Sequence, residues 1–234
     1  MLFCTYEFVV FLAFVLAILK LSEDHPKLQQ LFLLVASNVF YGLWDWRFLA
    51  LIWFSTLLDF GVGMRMSQAS STSSRKRLLA CSIVGNIGVL GLFKYFDFFQ
   101  QSTRTMLAAI GWQYQPWLLD LALPVGISFY TFQTLAYTID VYRKQAPACT
   151  DLLVFGQYVC YFPQLVAGPI ERAERLIPQL SKARVVGIEN VLSGLLLILW
   201  GSLKKATVAD SLGLLVVDPL FGDPVSGTHL LLAI

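Results

Sequence analysis

Apolar runs long enough to cross a membrane follow one another along this chain, and one of them is polar on a single face. Residues 123–143 read Leu-Pro-Val-Gly-Ile-Ser-Phe-Tyr-Thr-Phe-Gln-Thr-Leu-Ala-Tyr-Thr-Ile-Asp-Val-Tyr-Arg. That is about the 20 residues a helix needs to cross roughly 30 Å of hydrocarbon. Wound at about 100° per residue, the run puts Gly126, Tyr130, Gln133, Tyr137 and Asp140 on one stripe. Thr131, Thr134 and Thr138 flank it, and Phe129, Phe132, Leu135, Ala136 and Ile139 take the other side. In hydrocarbon an amide or carboxylate needs a partner, so the stripe must meet protein or a water-filled cavity. Two readings fit: glue between packed helices, or the wall of a polar tunnel through the membrane.

The other runs frame this one. Residues 3–21 predict a first span, with no basic segment before it, so it reads as a retained membrane helix rather than a cleaved leader. Residues 28–43 predict a second span in which Ser37 and Asn38 face protein. Trp44-Asp-Trp-Arg47 predicts a tight turn with its indoles at headgroup level. Residues 48–66 predict a third span, with Asp59 in its second half and Gly61 and Gly63 allowing close helix approach. Asp59 is a site candidate, or a helix-end acid reaching headgroups or an Arg.

Residues 67–77 are small, polar and then basic, and predict a cytoplasmic loop. A fourth span is expected over 78–93, with Gly85, Gly88 and Gly91 as a close-packing surface. Residues 100–121 are too polar to cross and predict a helix in the headgroup plane. With the N-terminus outside, loop 67–77 falls inside, residues 94–121 outside, and Arg143 and Lys144 inside.

Beyond residue 144 the charge rule does not close. The run 151–168 is apolar and about one span long, yet Arg172, Arg175, Lys182 and Arg184 follow it, and Pro163 and Gly168-Pro169 break it. A re-entrant segment over 151–170 resolves both observations. Residues 170–184 predict an amphipathic surface segment, and 185–203 another apolar run closed by Lys204-Lys205. Asp218-Pro and Gly222-Asp-Pro224 mark a loop. The run 228–234 is too short to span, so the chain reads as part of a longer protein.

Composition sharpens the class. Of 234 residues, 57% are hydrophobic and 14% charged, with mean hydropathy +0.67. A soluble domain carries about 25% charged residues, so the fold class is all-α: a polytopic transmembrane helical bundle with re-entrant and interfacial helices. A single membrane domain over 1–234 is expected. Net charge +2 argues against nucleic acid as a partner. Cys4, Cys81, Cys149 and Cys160 show no metal or CxxC spacing and read as packing residues.

Chemistry-bearing motifs are few. No phosphate loop, nucleophile elbow or metal-ligand spacing occurs. His25 and His229 lie beside no candidate nucleophile or acid, so no catalytic residue and no metal are assigned. What remains is the stripe, the proline-broken segment from Tyr161 to Arg172, and the cations from Arg172 to Arg184. Together they describe a polar interior with a positive cytoplasmic mouth, which suits an anionic partner.

Leu123-Pro-Val-Gly-Ile-Ser-Phe-Tyr-Thr-Phe-Gln, Ile139-Asp-Val-Tyr-Arg143 and Phe162-Pro-Gln-Leu-Val-Ala-Gly-Pro-Ile-Glu-Arg172 together resemble the membrane-bound O-acyltransferase (MBOAT) family, in its alginate-acetylating branch. Asn38-Val-Phe-Tyr41, Phe93-Lys-Tyr95 and Lys204-Lys205 with Ala209-Asp210 match in the same order. The resemblance implies an MBOAT-like fold of which this is the N-terminal half, and O-acetyl transfer to an extracytoplasmic polysaccharide hydroxyl in the bacterial inner membrane. It implies no bound cofactor, an acyl donor (acetyl-CoA or an acyl carrier) on the cytoplasmic side, and a periplasmic acceptor or partner acetyltransferase proteins. The family's intramembrane histidine comes later in its members, so the chain alone is expected to be inactive. Its contribution would be tunnel wall: Ser128, Tyr130, Gln133, Tyr137, Asp140, Arg143, Gln164 and Arg172. The rival readings are a transporter or flippase of a polar substrate or acyl group, and a structural membrane subunit.

Overall fold

The computed structural model describes residues 5–112, 115, 124–165, 168–182 and 185–217, and every regular element among them is helical. Cys4, most of 113–123, Val166 and Ala167, Arg184, the loop at 218–224, His229 and the run 228–234 lie outside the described residues. By packing, the chain divides into two compact units, Phe11–Arg184 and Leu2–Val10 with Val185–Ile234.

The first unit is a helical bundle. Helix α1 is Tyr6–Leu21, and α2 runs over Pro26–Asp45, entered at a proline whose missing N–H is an orphan donor in any case. Asp45 then accepts from the Arg47 amide at 2.9 Å and opens a single 3₁₀ turn, Trp46–Phe48, which is the predicted tight turn. Helix α3, Leu49–Gln68, follows. Ser37 and Asn38 do face protein. Ser37 accepts from the Phe162 amide, and Asn38 accepts from the Trp53 indole at 2.8 Å.

Two expectations fail at α4, Thr72–Leu90. The predicted loop 67–77 is helical except at residues 69–71. Its basic run is drawn into the helix because Arg75 has acceptors to reach: Met66 O at 2.8 Å, Tyr142 O at 2.7 Å and Val141 O at 3.0 Å. These are C-terminal carbonyls of other helices, and a cation satisfies them well. At its other end α4 does not stop near residue 93. A π-helical turn, Gly91–Tyr95, carries it into α5, Phe96–Ala109, making 38 continuous residues. Charged and aromatic residues in 94–103 change solvent preference but break no helix, and a π turn absorbs the mismatch.

The central helix α6 is Ile127–Tyr142, shorter than the 123–143 predicted. Pro124 and Gly126 precede it as a turn, with Gly126 at φ +76°. Only glycine suits that position twice over: a Cβ there would also sit 2.9 Å from the Leu165 carbonyl oxygen. Helix α6 packs on α3 and α4, and on α7, Leu152–Cys160.

Nine residues give α7 a length of only about 14 Å, half a bilayer core. After Tyr161 comes one turn, α8, Phe162–Leu165, and then α9, Ala173–Leu180. The contacts of α2 trace the path. Asp151 pairs with Lys27, Phe162 meets Ser37, and Leu180 and Ser181 accept from Gln30, each at 3.1 Å. Ser37 lies about 10 Å along α2 from Gln30. The chain thus leaves the start of α2, reaches about 15 Å along it and comes back by about 10 Å, the geometry expected of a re-entrant segment. Ala173, Leu176 and Leu180 are buried in α9 while its intervening residues are exposed or half-buried, so this piece is amphipathic as expected.

In the second unit, α10 is Ile188–Lys204. The predicted stop at Lys204-Lys205 is absent. A π turn, the short α11 (Asp210–Leu212) and another π turn extend the helical run to Val217. Among the described residues three helical runs are long and apolar enough to cross a membrane: Pro26–Gln68, Thr72–Ala109 and Ile188–Leu215. The glycine predictions divide. Gly63 and Gly85 pack closely, against Tyr137 and Leu58, whereas Gly61, Gly88 and Gly91 have no neighbour within 4 Å.

In the first unit Asp151 joins the start of α2 to the start of α7. Its carboxylate pairs with Lys27 and caps α7 through the Leu153 amide at 2.9 Å, and the lysine and the capped amides hold it below the usual carboxylate range. A depressed folded-state pKa adds stability above the unfolded value and loses it as pH falls through the folded one. Thermal unfolding in detergent should therefore show Asp151→Ala losing about 1 kcal/mol at neutral pH, chiefly through the cap, and Lys27→Met less. The wild-type advantage over Asp151→Ala should shrink as pH falls below 4.

Candidate functional site

The stripe of α6 is hidden from lipid. Tyr130 and Tyr137 are fully buried, Gln133 is 1% exposed and Asp140 8%, while Phe132 on the opposite side is 47% exposed. Leu135, expected on that outer side, is also buried, because α6 is enclosed by α3, α4 and α7 over most of its circumference.

Toward α7 the stripe makes reciprocal bonds. Gln133 Nε2 donates to the Tyr158 carbonyl at 2.7 Å, and the Tyr158 hydroxyl donates back to the Gln133 carbonyl at 3.2 Å. That hydroxyl also lies 3.2 Å from the Glu171 carbonyl. Tyr137 Oη accepts the Cys149 amide at 3.1 Å and packs on Phe155, ring centroids 4.6 Å apart. Gln133 and Tyr137 therefore bond helix to helix and helix to loop. Tyr130 differs: its hydroxyl is fully buried with no hydrogen-bond partner among the described residues.

The two ends of α6 each meet a charged group. Ser128 is half-buried and accepts from Lys94 Nζ at 3.2 Å. About 18 Å along the helix, Asp140 lies 3.9 Å from Arg172, whose side chain is mostly exposed. Gln164 donates to the Pro169 carbonyl at 2.9 Å and so fastens the Gly168-Pro169 bend. It also lines a cavity of about 500 Å³ with Tyr161, Glu171 and Arg175. Arg143 is exposed and joins neither group; it lines a different cavity beside Arg75 and Lys144. Of the eight predicted positions, the structure thus gathers Tyr130, Gln133, Tyr137, Asp140 and Arg172 along one seam. Ser128 and Gln164 lie on other surfaces, and Arg143 lies apart.

On its α3 and α4 side the helix meets a second polar cluster that sequence reading half found. Asp59 is fully buried, away from headgroups, and pairs with no arginine among the described residues. Its carboxylate accepts from Ser82 Oγ at 2.5 Å and Asn86 Nδ2 at 2.8 Å, with Thr134 and Thr138 of α6 close by. Asn86 in turn approaches Thr134 Oγ1 at 3.5 Å. Asn86 and Ser82 were missed because the glycines around them carried the reading. The spacing Ser82–Asn86, one helical turn, was the available signal. No group of residues among those described has the makeup of a metal site.

Known proteins resemble this chain over most of its length. A protein of Pseudomonas aeruginosa named probable alginate O-acetylase AlgI is 36% identical over 208 residues, 88% of this chain and 39% of the relative. One of the same name from Azotobacter vinelandii is 35% identical over 222 residues, 93% of this chain and 43% of its own. A peptidoglycan O-acetyltransferase of Helicobacter pylori is 28% identical over 220 residues, 83% of this chain and 41% of its own. The chain spans about two fifths of the length of these relatives. No family model and no solved structure matches it.

Two substitutions probe the seams. Asp59→Ala leaves Ser82 and Asn86 with an unmet donor each and should cost about 1–3 kcal/mol, with Asp59→Asn costing less because one acceptor remains. Wild-type thermal midpoints for both variants in detergent would exclude the cluster as a stabilising element. Gly63→Ala places a methyl on the Tyr137 ring and should cost about 1–3 kcal/mol, whereas Gly61→Ala, in open space, should leave the midpoint within about 0.5 kcal/mol.

Proposed function

We propose that the chain is the amino-terminal membrane part of a membrane-bound O-acyltransferase, one that O-acetylates an extracytoplasmic polysaccharide of the alginate type. The observation that carries this reading is the likeness, over nearly the whole chain, to proteins named for acetylating alginate and peptidoglycan. The buried polar seam of α6, with a charged group toward each end, supports it by keeping a line of polar side chains out of contact with lipid.

In this reading the protein sits in the bacterial inner membrane. An acetyl thioester, on coenzyme A or on an acyl carrier, approaches from the cytoplasmic side, and the acceptor or a partner acetyltransferase from the periplasmic side. The acceptor hydroxyl attacks the thioester carbonyl, a base takes its proton, and the thiolate leaves and is reprotonated. Packing that excludes water protects the thioester from hydrolysis while it waits for the acceptor. Residues of this chain act as walls: Tyr130, Gln133 and Tyr137 along α6, Ser128 at the outer end, and Asp140, Gln164 and Arg172 toward the inner side, whereas Arg143 borders a separate cavity. The base is supplied by sequence outside this chain, which by itself is inactive.

The reading is tested in the whole native protein. Asp140→Asn removes a charge without changing volume, and Gln133→Leu removes the amide. Each should lower the acetyl content of the exported polysaccharide about tenfold or more, a barrier change of about 1.4 kcal/mol, with normal membrane insertion. Full acetylation in both variants would overturn the wall assignment, and an unacetylated polymer with the wild-type gene restored would overturn the activity itself.

A further inference from the structure

A second polar cavity, of about 500 Å³, opens where the α3–α4 connection meets the end of α6. Three cations line it, Arg75, Arg143 and Lys144, together with Ser70 and Thr72, and among the described residues no carboxylate does. Arg75 is fixed in place by the carbonyls of Met66, Val141 and Tyr142 and by the Tyr142 ring, 5.8 Å from its guanidinium carbon. Those carbonyls leave its charge unneutralised and donors to spare, since a guanidinium has five. Arg143 and Lys144 are exposed and have no ion pair or side-chain hydrogen bond among the described residues.

Several other cations of the bundle are neutralised by an acid instead. Lys20 pairs with Glu23, Lys27 with Asp151 and Arg172 with Asp140. The general excess of cations on one side of a membrane fixes how many there are, but not that three converge on one cavity without an acid. Lys144 is held there by a backbone with φ +61°, a conformation that side-chain-bearing residues rarely adopt. The helix α4 begins at the same cavity, and Ser71 does not cap it, so its first-turn amides add donors of the same sign.

We infer that this cavity binds a phosphate group, held by Arg75, Arg143 and Lys144. A fixed guanidinium presents parallel N–H donors to phosphate oxygens, and two mobile cations close around it. The group is either the headgroup phosphate of an anionic phospholipid or the phosphate of a soluble molecule. The inference stands on this cavity alone and is independent of the acetyl-transfer reading.

The test compares two double variants of the whole native protein that remove equal charge. R143Q/K144N strips the cavity, with Asn chosen because it tolerates a left-handed backbone. K76Q/R77Q removes two exposed cations from the first turn and a half of α4 that do not line it. In one arm, native mass spectrometry counts phosphatidylglycerol retained from nanodiscs of phosphatidylglycerol and phosphatidylcholine. In the other, calorimetry follows inorganic phosphate binding to protein in pure phosphatidylcholine nanodiscs. R143Q/K144N should weaken binding about thirtyfold in at least one arm, the loss of two near-surface cations, with K76Q/R77Q unchanged. Loss in the first arm identifies a lipid headgroup, and loss in the second a soluble phosphate. Equal effects of the two variants, or no binding in either arm, would overturn the proposal.

Discussion

A polar side chain in hydrocarbon must find its partner within the protein, and α6 carries too many of them to be satisfied by one neighbour. Its answer is to be enclosed. Gln133 and Tyr137 bond toward the α7 side, Thr134 and Thr138 turn toward Asp59, and only residues such as Phe132 remain for lipid. The order of the bundle follows from this. Helices α3, α4 and α7 are placed where they are because each supplies acceptors or donors that α6 lacks.

The same constraint explains the short α7. A backbone that turns back inside a membrane exposes amides and carbonyls that no lipid can satisfy. Here side chains of α2 and of the segment itself meet them: Ser37 takes the Phe162 amide, Gln164 reaches the Pro169 carbonyl, and Gln30 reaches Leu180 and Ser181. Tyr158 joins both problems, since its hydroxyl lies within reach of Gln133 on α6 and of Glu171 beyond the bend. The polar seam and the broken segment are therefore one construction, and a change at Tyr158 would be felt in both.

Much of this was legible in the residues. Helical periodicity placed Tyr130, Gln133, Tyr137 and Asp140 on one face, and Pro163 with Gly168-Pro169 announced a segment that could not cross. What periodicity could not supply was the partner. Whether Asp59 reached outward or inward depended on Ser82 and Asn86, 23 and 27 residues away. The role of Arg75 depended on carbonyls 66 and 67 residues later. Glycines misled for a related reason. Small-residue spacing shows where helices are able to approach, and Gly63 and Gly85 are used while Gly61, Gly88 and Gly91 are not. The overlong run Thr72–Ala109 was missed because polarity was read as a break, though helices end at backbone constraints such as proline or a left-handed glycine.

Charge follows the same logic of partners. The positive-inside rule counts cations on a side, but it is indifferent to whether each is neutralised. In the bundle the difference is visible residue by residue. Lys27 holds Asp151 and with it the start of α7, and Arg172 rests loosely on Asp140 at the end of the seam. Arg75 serves three carbonyls that carry only partial charge, so most of its own remains. A cation that closes helix ends without meeting an acid anchors the structure and leaves a positive field in the space beside it. Because Arg143 and Lys144 border that same space without an ion pair among the described residues, the field is reinforced there rather than cancelled.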